Sequence, residues 1–177
     1  FYGPKLEFVL RDSIGRHWQC GTIQLDFNLP DRLGASYNTS DDIKAAPVMI
    51  HRALLGSLER FTGILIEHFA GHFPLWIAPI QIVVMGITSD QHEHVETIAA
   101  QLQSKGYRVQ ADLRSERVNF KVREHSLQKI PIIGVFGNRE VENNQITVRR
   151  FGSKKQQVMD MDAFVAYVEE EISQRML

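Results

Sequence analysis

A short segment rich in proline and glycine divides the chain into two stretches with different hydrophobic patterns. The segment spans residues 71–79 and reads GHFPLWIAP. Its glycine and two prolines stop helix propagation. Before it, alternating apolar residues are typical of antiparallel strands, and after it strand-like and helix-like runs follow one another. We therefore predict two domains, at residues 1–77 and 78–177.

The first stretch predicts an antiparallel sheet followed by a helix. Residues 6–10 and 22–27 alternate apolar with polar side chains, and residues 13–16 between them are typical of a hairpin turn. Residues 47–50 form another extended run. From there the apolar period becomes helical, at Leu54, Leu58, Phe61, Leu65 and Phe69. This combination indicates the α+β class.

The second stretch alternates strands with helices. Apolar runs at residues 80–85, 107–111 and 130–136 predict strands, and residues 145–150 predict an edge strand. Amphipathic patterns at 89–104, 117–127 and 160–176 predict helices. Strand–helix repetition of this kind indicates an α/β domain with a mixed, partly parallel sheet.

Composition indicates the cellular compartment in which the protein functions. The 177 residues contain one cysteine, Cys20, so the chain cannot form an internal disulfide. It has no apolar run long enough for a transmembrane helix. These features predict a cytoplasmic protein without a membrane partner. The chain starts at Phe1 rather than Met, and residues 1–12 are typical of a folded interior, so we expect further sequence before them.

Arg60 is the first candidate binding residue. On the predicted helix it shares a stripe with Gly56 and Gly63, which leave room for a ligand beside the guanidinium. A guanidinium binds phosphate through its rigid fork of donors and stacks on flat rings. The alternative is a surface arginine that pairs with Glu59 or Glu67.

His51 is a candidate metal ligand. The two-residue period of a strand turns it away from the face shared by Val48 and Ile50. The alternative is a hydrogen-bonded histidine within a sheet. His92 and His94 are two residues apart on a predicted helix and therefore diverge. Residue types and spacing alone assemble no complete set of metal ligands.

Basic residues cluster between positions 105 and 129. On the predicted helix Arg117 and Lys121 share a face, and Asn119 and Phe120 lie between them. A mixture of cations, a polar side chain and an aromatic ring suits single-stranded RNA, whose bases splay out and stack. The alternative is an ordinary solvated helix face.

Five segments of the chain resemble the class II aminoacyl-tRNA synthetases, in the form of the threonyl enzymes. Residues 47–61, PVMIHRALLGSLERF, resemble the third signature motif of that class. The others are residues 1–8, FYGPKLEF; 18–27, WQCGTIQLDF; 73–79, FPLWIAP; and 111–114, ADLR. The resemblance covers essentially the whole chain.

The resemblance implies an activity and a set of roles. The activity is ATP-dependent activation of threonine to threonyl-adenylate, followed by transfer to the 3′ end of threonine tRNA. Arg60 and Gln19 would be catalytic. The implied ligand sets are Tyr2, Lys5 and Gln19 for threonine; Thr22, Ser57 and Arg60 for ATP; and His51 for a zinc ion.

The resemblance also implies partners and cofactors. The second domain would bind the anticodon through Arg117, Lys121, Glu140 and Arg149, whereas Ser115 replaces an asparagine that reads a base in some relatives. Two further zinc ligands and the first two class II motifs would lie upstream. ATP would bind with Mg²⁺, and the full-length enzyme would be a homodimer. This chain alone is therefore expected to be inactive.

Two other readings stay open. The chain could be an RNA-binding module with an anticodon-type domain and no catalytic activity. It could also come from a histidyl- or prolyl-type synthetase, which shares this domain order. His51 and the segment 18–22 fit the threonyl pattern better than either of those enzymes.

Overall fold

The structure, a computed structural model, describes residues 3–176. It divides into two compact units, Phe1–Glu67 and His68–Leu177. The predicted domain boundary after residue 77 lies within the second unit and remains a prediction.

A three-stranded antiparallel sheet forms the first unit. Its strands are β1 (Lys5–Arg11), β2 (His17–Asp26) and β5 (Met49–Leu54), in the order β1-β2-β5. The β1–β2 turn is closed by the Asp12 carboxylate, which accepts hydrogen bonds from the backbone N–H groups of Ile14 and Arg16 at 3.1 and 2.8 Å. Hydrogen bonds from Trp18 and Arg16 lower the pKa of Asp12 to about 2. The predicted hairpin and antiparallel sheet are confirmed.

Shorter elements complete the first unit. They are α1 (Leu29–Arg32), β3 (Tyr37–Asn38), β4 (Lys44–Ala45) and α2 (Leu58–His68). Helix α2 begins later than its apolar period suggested, because β5 continues as far as Leu54. The next two residues, Leu55 and Gly56, both adopt positive φ and are therefore not helical. Gly56 therefore precedes the helix, and the predicted helical stripe through Gly56 and Arg60 is wrong.

The first unit buries no large apolar side chain completely in the part of the chain that the structure describes. On β1, Leu6 and Phe8 are 64% and 54% exposed, and on β5 Ile50 and Leu54 are 64% and 66% exposed. Helix α2 has no buried residue. Residues 3–67 therefore contribute no buried apolar side chain to the two hydrophobic cores of the structure.

A five-stranded mixed sheet forms the second unit. Its strands are β6 (Ile82–Gly86), β7 (Val109–Asp112), β8 (Ile132–Phe136), β9 (Gln145–Arg150) and β10 (Gln156–Asp160), in the order β10-β9-β8-β6-β7. Strands β7 and β8 both run parallel to β6, and β9 is antiparallel to β8 and β10. The predicted partly parallel sheet is confirmed. The prediction of an edge strand at 145–150 is wrong, since β10 covers that edge.

Four helices flank this sheet: α3 (His92–Ser104), α4 (Val118–Leu127), α5 (Asn138–Glu142) and α6 (Met161–Ser173). Alternate residues of the central strands face opposite sides. Ile82 and Val84 pack in the larger core, which includes buried residues of α3 and α6. Val83 and Met85 pack in a smaller core, against which Val118 of α4 lies. Both sides of β6 are therefore apolar, as its continuous apolar sequence indicates.

The parallel strands end together at one edge of this sheet. Strands β6 and β8 are adjacent, but the chain between them passes through α3, β7 and α4. Such a reversal of strand order opens a crevice beyond the carboxyl ends of the strands, where ligands bind in open α/β sheets. Within residues 3–176, no helix is both long enough and apolar enough to cross a membrane.

Candidate functional site

Arg60 lies in the first turn of α2 and is held against β2. Its Nη2 donates a hydrogen bond of 2.8 Å to the backbone carbonyl of Gln19. Ser57 caps the helix, since its Oγ accepts a hydrogen bond of 3.3 Å from the Arg60 backbone N–H. The structure thus brings together three residues that the sequence predicted for one site. Glu59 instead accepts a hydrogen bond from Ser57, which lowers the Glu59 pKa, and Glu67 pairs with Arg16.

Gly56 makes this arrangement possible. Its φ is +70°, a conformation that residues with a Cβ rarely adopt. A Cβ at this position would lie 2.6 Å from Arg60 Nη2 and 2.9 Å from the Gln19 carbonyl oxygen. A side chain there would displace the guanidinium from its position on β2.

His51 lies on β5, opposite Gln24 of β2. Its Nε2 is 2.9 Å from Oδ2 of Asp26, a carboxylate with no exposed surface. The other oxygen of Asp26 accepts hydrogen bonds from the backbone N–H groups of Asn28 and Leu29. Together, the Leu29 N–H bond, the His51 bond and the other hydrogen bonds outweigh burial and lower the pKa of Asp26.

Asp26 was missed by the sequence analysis. Asp26 occupies a polar position in a regularly alternating strand, and only the pairing of β2 with β5 brings His51 to it, so the sequence pattern gives no signal for this carboxylate. With Nε2 on a carboxylate, His51 has Nδ1 left for a metal, which is how metal-binding histidines are oriented. Residues 3–176 contain no group of three or more His, Cys, Asp or Glu side chains able to hold a metal.

The register places two of the remaining predicted residues near His51: Lys5 and His51 flank Gln24 of β2, and Thr22 lies two residues from Gln24 on the same strand. Lys5 pairs with Gln24 across β1 and β2, and its Nζ lies 2.6 Å from the Glu7 carboxylate. Thr22 lies in the middle of β2, opposite Ala53. Tyr2 lies outside the described residues.

The backbone register fixes the spacing between the two principal candidates. Arg60 binds the carbonyl of Gln19, whereas His51 pairs with Gln24 on the same strand. Five residues of extended chain span about 16 Å. Arg60 and His51 therefore meet β2 at positions five residues apart.

In the second unit, one groove opens where β6 and β7 end. We call it the Arg117 groove; its volume is about 280 Å³. It is lined by Ile87, Thr88, Ser89, His92, Arg114, Ser115, Glu116, Arg117 and Lys121. Arg117 is the exposed N-cap of α4, whereas Lys121 is only 2% exposed. The two predicted cations reach one groove, but only Arg117 presents an exposed side chain there.

A second groove opens at the crevice between β6 and β8. We call it the Glu140 groove; its volume is about 430 Å³. It shares Ile87 and Thr88 with the Arg117 groove and is also lined by Asp90, Gln91, Gly137, Asn138, Arg139 and Glu140. The Glu140 carboxylate accepts hydrogen bonds from the Gly137 N–H and the Thr147 hydroxyl, both at 2.9 Å. Its orientation is thereby fixed before any ligand arrives.

Arg149 stands apart from both grooves along the sheet. On β9 it pairs with Ile133, whereas Thr147, which contacts Glu140, pairs with Val135. Arg149 and Thr147 are two residues apart and so face the same side of the sheet. The structure places Arg149 about 7 Å farther along that strand than Thr147.

Two families match the chain. The model described as "Anticodon binding domain" matches residues 81–171, and that described as "tRNA synthetase class II core domain (G, H, P, S and T)" matches residues 1–69. The chain is 57% identical over 171 residues to the threonine–tRNA ligase of Rhodopseudomonas palustris, with 97% of this chain covered. It spans about a quarter, 26%, of the length of that relative.

Solved structures agree with these matches. The RNA binding domain of threonyl-tRNA synthetase from Cryptosporidium parvum superposes with a TM-score of 0.87 and 34% identity, covering 97% of this chain and 44% of that one. Prolyl-tRNA synthetase from the same organism, at 16% identity and a TM-score of 0.64 over 97% of this chain and 42% of that one, shares the fold. This chain therefore belongs to the anticodon-binding-domain family of class II aminoacyl-tRNA synthetases and, among these enzymes, to the threonyl-tRNA synthetases.

Proposed function

We propose that the protein carrying this chain is a threonine–tRNA ligase. It activates threonine with ATP to threonyl-adenylate and transfers the threonyl group to the 3′ end of threonine tRNA. The observation that carries the proposal is the identity of 57% to a threonine–tRNA ligase over 97% of the chain, through both units. The domain boundaries that go with it are residues 1–77 and 78–177.

The first unit contributes to the ATP and threonine site. Arg60 is the catalytic cation, because a guanidinium fixed on β2 by the Gln19 carbonyl is in place before the reaction starts. Such preorganised charge stabilises the negative charge that develops during adenylate formation. Gln19 positions the adenylate, Thr22 and Ser57 contact the nucleotide, and Tyr2 and Lys5 line the threonine pocket. ATP binds with Mg²⁺.

His51 contributes one ligand to a zinc ion. The donor fits, because Asp26 fixes one ring nitrogen and leaves the other available. When bound there, zinc would supply a Lewis acid that demands the threonine hydroxyl, which would separate threonine from valine better than an apolar pocket does. The two other ligands lie outside this chain.

The second unit reads the anticodon. Its two grooves lie beyond the carboxyl ends of the parallel strands and present cations and fixed hydrogen-bond acceptors side by side. Arg117 contacts RNA in one groove, whereas Lys121, which is buried, supports that groove from below through the Asp112 carbonyl. Glu140 reads a base in the other groove, and Arg149 binds the RNA farther along β9. Phosphate contacts hold the register while base contacts select the sequence. We propose further that the enzyme is a cytoplasmic homodimer.

Exchange between ATP and pyrophosphate in the presence of threonine tests the first activity. In the synthetase that carries this chain, Arg60→Ala should slow the exchange by about two to three orders of magnitude, the loss typical of removing one preorganised donor. Binding of threonine tRNA should stay within twofold, because Arg60 belongs to the other unit.

Arg52→Ala is the matched control, since Arg52 is an exposed arginine on β5 with no role in the proposal. An exchange rate unchanged in Arg60→Ala would refute the catalytic role. A wild-type protein that binds threonine tRNA but never forms threonyl-adenylate would instead be a binding module without catalysis.

A further inference from the structure

We propose that Asp112 is a positioning residue for RNA binding. Its buried carboxylate fixes the Arg114 guanidinium at the rim of the Arg117 groove, and the free N–H groups of that guanidinium bind the RNA backbone. This inference rests on the proposed function and adds two residues, Asp112 and Arg114, to the anticodon-binding site.

Asp112 is the last residue of β7 and is only 3% exposed. Both of its carboxylate oxygens face Arg114. Oδ1 accepts hydrogen bonds from the Arg114 backbone N–H at 3.1 Å and from Nε at 3.0 Å, and Oδ2 accepts one from Nη2 at 2.7 Å. The carboxylate therefore fixes both the turn after β7 and the plane of the guanidinium.

Two buried side chains hold Asp112 from the other side. His125 Nε2 lies 2.7 Å from Oδ2, and Lys121 Nζ donates a 3.2 Å hydrogen bond to the Asp112 backbone carbonyl. Both belong to α4 and are 3% and 2% exposed. The carboxylate is consequently anchored in the domain, whereas the Arg114 side chain that it holds is 48% exposed.

Arg114 keeps donors for a ligand. An arginine side chain has five N–H groups. Three hydrogen bonds are accounted for, two to Asp112 and one from Nη1 to Glu124 at 2.6 Å. Each of the two Nη atoms therefore retains one N–H, and Arg114 lines the groove beside Arg117 and Ser115.

An anionic RNA backbone suits this arrangement. Arg114 and Arg117 bring two exposed cations to one groove of about 280 Å³, which Ser115 and Glu116 also line, whereas the ammonium of Lys121 is buried against Asp112. A guanidinium whose plane is already fixed loses little conformational entropy when it binds a phosphate in its fork. Without Asp112, the same side chain would remain cationic but would be free to turn away.

A double-mutant cycle tests the inference through the dissociation constant of threonine tRNA at fixed salt. Asp112→Asn and Arg114→Ala should each weaken binding about tenfold, as expected for a charge-assisted hydrogen bond. The double variant should bind within twofold of Arg114→Ala, because Asp112 acts through Arg114. Losses that multiply in the double variant would overturn the proposal.

If Asp112→Asn fails to fold, Arg114→Lys tests whether RNA binding needs the guanidinium fork of Arg114. It preserves the charge but not the fork, so binding should weaken about fivefold while the slope against salt stays the same. Binding as tight as wild type would overturn the proposal. Asp162→Asn, an exposed carboxylate on α6, is the control and should bind as wild type does.

The cycle separates this inference from the function on which it rests. A wild-type protein with no preference for threonine tRNA would overturn both. A wild-type protein that selects threonine tRNA, combined with independent losses from the two substitutions, would overturn only the positioning role of Asp112. Exchange between ATP and pyrophosphate should not change in the control variant Asp162→Asn.

Discussion

At the scale of single residues, one buried aspartate in each unit orients a more exposed side chain by hydrogen bonding to it. Asp26 holds His51, and Asp112 holds Arg114, each at the end of a strand. Hydrogen bonds from the Leu29 backbone N–H and from His51 lower the pKa of Asp26, and those from Arg114 and His125 lower the pKa of Asp112, despite burial of both carboxylates. In each case the residue suited to ligand binding is more exposed than the carboxylate that orients it.

If His51 is a zinc ligand, as proposed, Asp26→Asn should reduce zinc affinity in the protein that carries this chain. The amide keeps the shape and one acceptor oxygen, but it no longer offers His51 a negative charge. Loss of a carboxylate that hydrogen-bonds a metal-ligating histidine typically weakens metal binding about 10- to 100-fold. Zinc bound per protein, measured by mass spectrometry against a competing chelator, gives the affinity directly.

Asp31→Asn provides the matched control, because Asp31 is an exposed carboxylate on α1 of the same unit. It should retain wild-type zinc affinity. Full zinc affinity in Asp26→Asn, with His51→Ala showing a clear loss, would mean that Asp26 only supports the sheet.

Residue types and their spacing pointed to the candidates Arg60 and His51 but not to the groups that hold them. Arg60 was a candidate because Gly56 and Gly63 were predicted to flank it on a helix, and His51 because a strand would turn it away from the face of Val48 and Ile50. Their partners, the Gln19 carbonyl and Asp26, depend on which strands pair and in which register. Register is set by long-range packing that a single sequence does not display.

At the scale of the elements, β8 shows how closely the second unit is packed. Gly134 lies in the middle of this strand, between β6 and β9. A Cβ added there would lie 2.5 Å from Cδ1 of Ile146 and 3.3 Å from Cγ1 of Val84. The absence of a side chain at Gly134 thus creates the space that Ile146 fills.

Gly134→Ala should therefore destabilise the second unit by about 1–3 kcal/mol, the usual effect of an added methyl in a packed core. Urea unfolding of the chain, followed by circular dichroism, measures the change. Ile146→Val removes the Cδ1 that the new methyl would meet. The double variant should lose less stability than the sum of the two single changes. Strict additivity would show that the contact is not the cause.

The hydrophobic period predicted where the strands lie in the sequence better than it predicted their order within the sheet. The apolar runs of β6 and β8 marked buried strands, and their continuous apolar character matched a sheet covered on both sides. Strand β10 escaped notice because four of its five residues are exposed, and so it carries no apolar pattern. As a result β9 was predicted at the edge that β10 occupies.

At the scale of the whole molecule, the two units differ in how they are stabilised. Every buried apolar side chain of the core in residues 3–176 lies between Leu75 and Val168, within the second unit. The first unit exposes most of its apolar side chains on a sheet of three strands. Burial of apolar surface is the main favourable contribution to folding.

Residues 68–177 should therefore fold alone, whereas residues 1–67 should not. The chain has two tryptophans, Trp18 in the first unit and Trp76 in the second, so fluorescence reports on each separately. The isolated second unit should unfold in one cooperative transition. Phe164→Ala, which removes a ring with no exposed surface, should destabilise it by about 3–5 kcal/mol. The isolated first unit should show the fluorescence of a solvated Trp18 at all temperatures, and a cooperative transition there would contradict the assignment of the core to the second unit.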